Sequence, residues 1–257
     1  MSVVIAIPFP PQLLSAAQAH PYPLLFATLS GAHLYGFASP DSDWDLRGVH
    51  LLPLREVLGL GTRNETHELA RDDGTVELDL VTHDAHKFAR LLLTRNGYVL
   101  EQLLSPHVIQ TTAAHAELVA LAPSVLTRWH ALHYLGFTAN QWKLLEKEQQ
   151  PRLKPLLYAF RTVLTGIHLM RSGEIEANLE WLNTEAGLPF LADLIALKRG
   201  ERENEPLPEP LGMYRPAYVT LLRQLEAAQE TTHLPSEVAH DVQAAVSDWV
   251  VRARLSS

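Results

Sequence analysis

The sequence predicts an α+β fold, in which a sheet-containing N-terminal part is followed by a C-terminal helical bundle. Apolar runs of strand length, one of them alternating with polar residues, lie before about residue 110. From about residue 114 onward, apolar residues recur instead at helical spacing. A chain of 257 residues is long enough for two domains, each with its own core. We therefore predict domains over residues 1–110 and 111–257.

Four segments in the N-terminal part have the residue patterns of β-strands. A continuous apolar run precedes Gly31 and suits a buried strand, whereas residues 75–81 alternate as a half-buried strand does. Before that alternating segment, Asp72-Asp73-Gly74 is typical of a hairpin turn. Asp84 is expected to cap a helix over residues 86–93. The predicted strands are residues 24–30, 46–52, 65–70 and 75–81.

The C-terminal part is predicted to consist of helices, because its apolar residues follow the helical period over long segments. A charged and proline-rich segment, residues 201–210, interrupts this pattern and is expected to be a loop. The predicted helices are residues 114–121, 124–148, 153–171, 176–183, 190–199, 217–229 and 236–255.

Composition narrows the function classes. The formal net charge is −8, whereas a protein that holds a long nucleic-acid duplex is usually basic. There are no cysteines, which excludes disulfides, thiolate metal sites and a cysteine nucleophile. Val3–Ile7 is apolar but short and is followed by prolines, so it does not resemble a signal peptide, and no apolar run approaches a membrane span. A cytoplasmic enzyme or binding protein without a membrane partner is expected, and nothing indicates its oligomeric state.

The stretch from Gly31 to Val49 contains a glycine turn, a polar loop and two aspartates that begin an apolar segment. If residues 43–49 are extended, Asp43 and Asp45 point to the same face. Two adjacent carboxylates repel each other unless a cation lies between them, and hard oxygen ligands suit Mg²⁺ or Mn²⁺. The preceding glycines allow the backbone to approach a phosphate closely. The combination predicts a metal–nucleotide site, although Asp and Ser are also common in solvated turns.

The alternating segment 75–81 supplies a third carboxylate. Glu77 and Asp79 lie on its polar face, and either can complete a triad if this strand pairs beside residues 43–49. We prefer Asp79 because leucines flank it on both sides; an exposed strand position is the alternative. Three carboxylates can hold two metal ions, one for the attacking oxygen and one for the triphosphate and the leaving group. Asp79 could also help to deprotonate the attacking hydroxyl.

The glycine turn and the two aspartates resemble the nucleotidyltransferase signature of the DNA polymerase β superfamily. That signature is a Gly-Ser turn, then Ser-Asp-x-Asp, then a later acidic residue on a neighbouring strand. The matching residues are Gly31-Ala32-His33-Leu34-Tyr35-Gly36 and Ser42-Asp43-Trp44-Asp45. A narrower resemblance, over residues 24–105 and more loosely to 154–161, is to bacterial and phage predicted nucleotidyltransferases of an RNA repair pathway polymerase-β family. It rests on His33, Tyr35-Gly36, Asp45-Leu46-Arg47-Gly48-Val49, Asn96 and Leu100-Glu101.

The resemblance implies a nucleotidyltransferase-like mixed sheet with flanking helices and assigns roles to the residues that match. Asp43, Asp45 and Asp79 would be catalytic and would bind Mg²⁺ or Mn²⁺. The turn that begins at Gly31 would cradle the triphosphate of an NTP. The residues assigned to this turn are Gly31, Ala32, His33 and Tyr35.

One departure from the family pattern lies in this turn. The family usually has serine after the first glycine, where its hydroxyl contacts phosphate, and Ala32 stands there in this chain. That contact is therefore lost, and Ser30 or Ser42 is a candidate to replace it. The backbone N–H groups of the turn remain available to a phosphate.

The implied activity is transfer of a nucleotidyl group from an NTP to a hydroxyl acceptor, with two metal ions and release of pyrophosphate. The acceptor is open: an RNA end in RNA repair, a protein hydroxyl as for AMP-transferring, antitoxin-like relatives, or a small molecule. The alternative that Ala32 motivates is a nucleotide- or RNA-binding module with weakened catalysis. A third interpretation is a structural partner protein that keeps only the fold.

Four basic or aromatic residues have both a functional and a structural interpretation. Arg47 shares a strand face with Asp45, so it could contact phosphate or substrate, orient the aspartates, or form a structural salt bridge. Lys154 and Arg161 lie two turns apart on a predicted helix, with Tyr158 between them. These three could bind the triphosphate and stack a base, or form a solvated helix face.

Histidines are frequent, with 13 in the chain. His33 lies inside the glycine turn, so a substrate contact is expected for it. No third ligand at a metal-binding spacing accompanies His83 and His86. Together with His50 and His67, they are therefore assigned surface or capping positions.

Overall fold

The structure is a computed structural model that describes residues 9–61, 63–72, 74–200 and 205–256. The apolar segment Val3–Ile7, Asp73 of the predicted hairpin and residues 201–204 of the predicted loop lie outside these ranges. Within the described ranges, no helix is both long enough and apolar enough to cross a membrane.

The predicted α+β fold is confirmed. The strands are β1 (Leu24–Leu29), β2 (Trp44–His50), β3 (Thr66–Asp72), β4 (Glu77–Asp84) and β5 (Val108–Gln110). The helices are α1 (Pro11–Gln18), α2 (Gly31–Tyr35), α3 (Leu54–Leu58), α4 (Ala85–Leu92), α5 (Gly97–Leu103), α6 (Ala113–Val125), α7 (His130–Lys147), α8 (Leu153–Ser172), α9 (Leu179–Ala186), α10 (Pro189–Gly200), α11 (Arg215–Thr231) and α12 (His240–Leu255). The sequence does not predict β5, because three residues are too few for a strand period to be recognised.

The strands form one mixed sheet in the order β3-β4-β2-β1-β5. Strands β2 and β4 are parallel, and the other neighbours are antiparallel. All six residues of β1 are buried, which agrees with its continuous apolar sequence, whereas the edge strand β3 is largely exposed. The alternating segment, now β4, pairs beside β2, which is the condition for its carboxylate to join those of β2, and the β4 side chains lie next to those of β2.

Side-chain caps fix where two helices of this part begin. Asp84, the last residue of β4, accepts a hydrogen bond from the His86 backbone N–H at 3.0 Å, which confirms the predicted cap of α4. Asn96 accepts from the Tyr98 backbone N–H at 3.0 Å and caps α5. The second cap fixes the start of α5, the short helix that carries Tyr98.

The described chain divides into two compact units. One contains the described residues up to Gly31, residues 43–125 and the chain from Val238 onward. The other contains Ala32–Ser42 and Leu126–Glu237. The first unit thus includes α6 and α12, which the sequence pattern groups with the helical half.

Side-chain contacts explain why α12 belongs to the first unit. The Trp249 indole N–H donates to the Ala114 carbonyl at 2.9 Å, and Trp249 is fully buried. Arg254 donates to both carboxylate oxygens of Asp84 at 2.9 Å. Helical spacing cannot show which earlier segment a closing helix packs against, so the sequence alone grouped α12 with its neighbours in the chain.

A cluster of histidines lies on the sheet face opposite Asp45. The assignment of His50 to the surface is wrong, because its exposed fraction is 0%. The Thr82 hydroxyl lies 2.8 Å from His50 Nδ1 and 3.0 Å from His20 Nε2. The ring centre of His20 is 5.3 Å from that of His50 and 4.7 Å from that of His67. Burial, together with the neighbouring His20, lowers the pKa of His50 to about 4.

Acidification is expected to destabilise the protein through His50. Its pKa is about 4 in the folded protein, against 6.5 as its ordinary value, so the unfolded chain binds more protons in this range. This contribution to the free energy of unfolding is present above pH 6.5 and is lost as pH falls toward 4. From pH 7 to pH 5 we expect a loss of about 2 kcal/mol from this residue. Urea unfolding at both pH values measures it.

The control variants for this prediction are His50→Gln and His233→Gln. His50→Gln should be less stable at pH 7 but should show a shallower loss between pH 7 and pH 5, because its amide does not titrate. His233 is exposed, and its replacement should leave the pH dependence of the wild type unchanged. An unchanged slope in His50→Gln would contradict the assignment.

Candidate active site

Two carboxylates meet at the centre of the sheet. Asp45 and Asp79 are register partners on the parallel strands β2 and β4. Because register partners on neighbouring strands point to the same face, their side chains lie side by side. Their exposed fractions are 18% and 40%, so both can be reached from solvent. Of the two candidates for the later carboxylate, Asp79 is therefore the one opposite Asp45, whereas Glu77 is register partner of Asp72 on the edge strand.

The cation that lies between these carboxylates is the guanidinium of Arg47. Its Nη2 donates to Asp45 Oδ1 at 2.6 Å and to Asp79 Oδ2 at 3.0 Å. Its Nη1 donates at 2.8 Å to the carbonyls of Leu46 and of Asp79. Its Nε donates to the Tyr98 hydroxyl at 2.8 Å. These five hydrogen bonds use all five N–H groups of the side chain.

The environment of Arg47 keeps its guanidinium charged. It also decides whether Arg47 contacts a phosphate or orients the aspartates. Burial acts to lower the pKa of Arg47, but Tyr98, Asp45 and Asp79 together outweigh it, so the pKa is raised. Since every N–H is already donated to a protein oxygen, the guanidinium has no donor left for a phosphate. In this structure Arg47 orients the aspartates; the predicted nucleotide contact would require some of these bonds to break.

Gly31 packs directly against Asp45. A Cβ added to Gly31 would lie 2.7 Å from Asp45 Cγ, and the backbone φ of +61° is left-handed. The Ser30 N–H donates to the Asp45 carbonyl at 2.9 Å, which ties the end of β1 to the start of β2. Glycine is thus required here both for its backbone conformation and for the space that the carboxylate occupies.

Asp43 is the residue just before β2 begins at Trp44. Among the described residues, no group of three or more His, Cys, Asp or Glu side chains is arranged to hold a metal ion. The structure therefore brings together Asp45, Asp79 and Gly31 of the predicted site, but it does not gather Asp43 into a three-carboxylate group. The sheet ladder fixes Asp45 and Asp79, whereas Asp43 lies outside the strand.

The predicted residues of the second unit form an aromatic and basic cluster. The Arg161 guanidinium lies 3.8 Å from the ring centre of Tyr35, and Arg161 is only 3% exposed. Tyr158 lies edge-on to Tyr35 at 5.5 Å, and Lys154 Nζ is 5.9 Å from the Tyr158 ring centre. The common helix face predicted for Lys154, Tyr158 and Arg161 is therefore present. Burial gives Arg161 a role in holding Tyr35, whereas Lys154 and Tyr158 are half-buried.

The turn after Gly31 is closed by buried polar contacts. Ala32 is 4% exposed, and the Ser42 hydroxyl accepts from the Ser39 N–H at 3.0 Å and lies 2.9 Å from the Ser39 hydroxyl. His33 Nε2 is 3.5 Å from the Ser42 carbonyl. Ser30 is 1% exposed. The two serines that were candidates to replace the missing hydroxyl are thus buried, and Ser42 is engaged within its own loop.

Sequence reasoning missed two residues beside the predicted set. Tyr98 holds Arg47, but its spacing from the aspartates carries no signal of that contact. Lys198 is fully buried and donates to the Ser39 hydroxyl at 2.5 Å. Its position four residues after Leu194 and three after Ile195 puts it on the apolar face of α10, and this spacing was a signal that could have identified it.

The nucleotidyltransferase resemblance implies three carboxylates beside a glycine turn, and two of these, Asp45 and Asp79, lie in register on the mixed sheet. The family model described as "RNA repair pathway DNA polymerase beta family" matches residues 9–252. The chain belongs to this nucleotidyltransferase-like family.

Two individual proteins are also similar. An uncharacterized protein of Methanocaldococcus jannaschii (MJ0002) is 30% identical over 154 residues, which are 60% of this chain. The match spans 63% of the length of that relative. The crystal structure of a nucleotidyltransferase-like protein from Exiguobacterium sibiricum aligns with a TM-score of 0.33 and 14% identity, over 96% of this chain and 74% of that one.

Proposed function

We propose that this protein is a divalent-cation-dependent nucleotidyltransferase. It would transfer a nucleotidyl group from an NTP to a hydroxyl acceptor and release pyrophosphate. The observation that carries the proposal is the pairing of Asp45 with Asp79 in register on adjacent parallel strands, with a positive group between them. Family membership supports the same reaction class.

The carboxylates of Asp45 and Asp79, here called the acid pair, are suitable ligands for a divalent cation. Asp45 and Asp79 present hard oxygen atoms, which Mg²⁺ and Mn²⁺ prefer. The guanidinium of Arg47 already occupies the gap as a positive stand-in, and the lack of a side chain at Gly31 makes room for the Asp45 carboxylate itself. A bound ion would neutralise triphosphate charge and polarise the α-phosphoryl group. The proposal includes two ions, as the sequence suggests, with Asp43 as a further ligand.

The chain's own groups have distinct tasks in the proposed transfer. The acceptor oxygen forms a bond to the α-phosphorus, the bond between the α-phosphorus and the bridging oxygen breaks, and pyrophosphate leaves with that oxygen. Asp79, with a 40% exposed side chain, accepts the acceptor's proton and passes it to solvent. The turn after Gly31 offers backbone N–H groups to the triphosphate. His33, Tyr35, Lys154 and Tyr158 remain candidates for nucleotide contacts.

The acceptor that we propose is the 3′-hydroxyl of an RNA end, on the basis of the RNA repair description of the family. The net charge of −8 favours a short contact with an RNA end over a long duplex interface. A protein hydroxyl, as an acceptor for AMP, is the alternative.

The test is transfer of label from each α-labelled NTP with Mg²⁺ or Mn²⁺. The acceptors are an RNA oligonucleotide with a free 3′-hydroxyl, the same RNA with a blocked 3′ end, and a protein extract. Label is expected on the free RNA end, and Asp45→Asn or Asp79→Asn should lower transfer by at least about a hundredfold. Labelling of protein in place of RNA would select the alternative acceptor.

The matched control is Glu77→Gln, two residues before Asp79 on the same strand face. Glu77 is exposed and opposite Asp72, so its loss should leave transfer within about twofold of the wild type, as is usual for surface positions. Equal losses in Glu77→Gln and Asp79→Asn, or absence of any transfer with every NTP, would reject the proposed reaction.

A binding module with weakened catalysis is the second candidate. Two observations favour it: Ala32 stands where the family usually has serine, and Ser30 and Ser42 are both buried. Cation-dependent NTP binding without transfer to any acceptor would support this candidate.

A further inference from the structure

The contacts of Arg47 bear on how the acid pair accepts an ion. A cation that bridges the carboxylates of Asp45 and Asp79 would lie in the gap that Arg47 Nη2 now occupies, 2.6 Å from Asp45 Oδ1 and 3.0 Å from Asp79 Oδ2. Two positive groups cannot share this gap without strong repulsion. Arg47 is only 12% exposed, so solvent does little to screen it.

We infer that Arg47 is an internal competitor for the cation at the Asp45–Asp79 pair. The guanidinium holds the carboxylates together before an ion binds, and an ion that bridges both carboxylates must displace it. The inference rests on the proposed function for the identity of the site. It adds that Arg47 lowers the affinity of the site for an ion, which the transfer reaction does not require.

Three other contacts set how firmly Arg47 competes. Its Nε donates to Tyr98, and its Nη1 donates to the carbonyls of Leu46 and Asp79. These bonds do not involve a carboxylate, but they lengthen or break when Nη2 leaves the gap, because the five N–H groups belong to one planar guanidinium. Arg47 is therefore a positioning residue, and Tyr98 is the side chain that anchors it. Loss of the Tyr98 hydroxyl should loosen the guanidinium without changing the charge of the site.

The test measures Mn²⁺ binding to the full chain without nucleotide, by calorimetry and by the electron paramagnetic resonance signal of free Mn²⁺. Arg47→Met keeps an unbranched apolar side chain and removes the charge. We expect it to bind Mn²⁺ at least about tenfold more tightly than the wild type. Tyr98→Phe should shift affinity in the same direction by about twofold to threefold. Adding Asp79→Asn to Arg47→Met should abolish the gain.

Arg90→Met is the control for net charge. Arg90 is exposed on α4, and its replacement removes one positive charge from the chain just as Arg47→Met does, so Mn²⁺ affinity should stay within about twofold of the wild type. Unchanged or weaker Mn²⁺ binding in folded Arg47→Met would overturn the inference. If Arg47→Met does not fold, the Tyr98→Phe result decides: weaker or unchanged binding there overturns it.

The outcomes for the inference and for the proposed function are separable. Tighter Mn²⁺ binding in Arg47→Met without nucleotidyl transfer by the wild type would support the inference and reject the enzyme. Transfer by the wild type with no gain of Mn²⁺ affinity in either variant would support the enzyme and overturn the inference.

Discussion

A Gly31→Ala variant is expected to lose the proposed nucleotidyl transfer while it remains folded. The added Cβ would lie 2.7 Å from Asp45 Cγ and would overlap its Oδ2. The carboxylate cannot simply rotate away, because Oδ1 accepts a hydrogen bond from Arg47. A displacement of about 1 Å near reacting groups can cost a hundredfold in rate, so transfer should fall by about a hundredfold or more. Labelled-NTP transfer and Mn²⁺ binding measure the effect.

The control for backbone strain is Gly187→Ala. Gly187 has a φ of +63°, close to the +61° of Gly31, but nothing lies within 4 Å of its added Cβ. Alanine in a left-handed conformation costs about 1–2 kcal/mol, so Gly187→Ala should lose about that much free energy of unfolding, and Gly31→Ala should lose more because of its overlap with Asp45. Only Gly31→Ala should lose transfer. Normal transfer and Mn²⁺ binding in Gly31→Ala would show that Asp45 does not depend on this close approach.

An Asp84→Ala variant is expected to lose about 4 kcal/mol of unfolding free energy, which is typical when one partner of a buried ion pair is removed. Asp84 is 1% exposed, and its carboxylate accepts from Arg254, from the Leu52 N–H and from the His86 N–H. Removing it leaves the guanidinium of Arg254, 8% exposed, without this carboxylate and also removes the cap of α4. Urea unfolding at pH 7 measures the loss.

Helix α12, which carries Arg254, also supplies the control for Asp84→Ala. Arg252, two residues before Arg254, pairs with Glu117, and the side chains are 55% and 45% exposed. Glu117→Ala should cost less than about 1 kcal/mol, because exposed ion pairs contribute little. The double variant Asp84→Ala with Arg254→Leu should lose less than the sum of the two single variants. Equal losses in Glu117→Ala and Asp84→Ala would contradict the role of burial.

Much of the local structure followed from patterns within a few residues. The strand at β4 was predicted from its alternation, and the cap of α4 from one aspartate before an apolar helical period. The burial of β1 followed from its uninterrupted apolar run. These features depend on side chains that are neighbours in the chain, and periodicity and capping report on such neighbours directly.

Burial of polar side chains was the least predictable feature. His50, assigned to the surface, is buried among other histidines, and Lys198 is buried beside Ser39. A histidine or lysine in a sequence gives no direct sign of the partner that makes its burial tolerable. That partner is usually remote: Lys198 and Ser39 are 159 residues apart.

Asp45 and Asp79 show most clearly which features the sequence determines and which only the fold decides. The amino-acid sequence was sufficient to nominate Asp45 and Asp79, to group the chain with nucleotidyltransferases and to limit Arg47 to a few roles. The choice among those roles came from folding, because Arg47 finds Asp79 32 residues away and Tyr98 51 residues away. Strand order and parallel register create these contacts, and no spacing along the chain specifies which strands become neighbours. Residue chemistry therefore nominated the two aspartates, while the pairing of β2 with β4 placed the guanidinium of Arg47 between them.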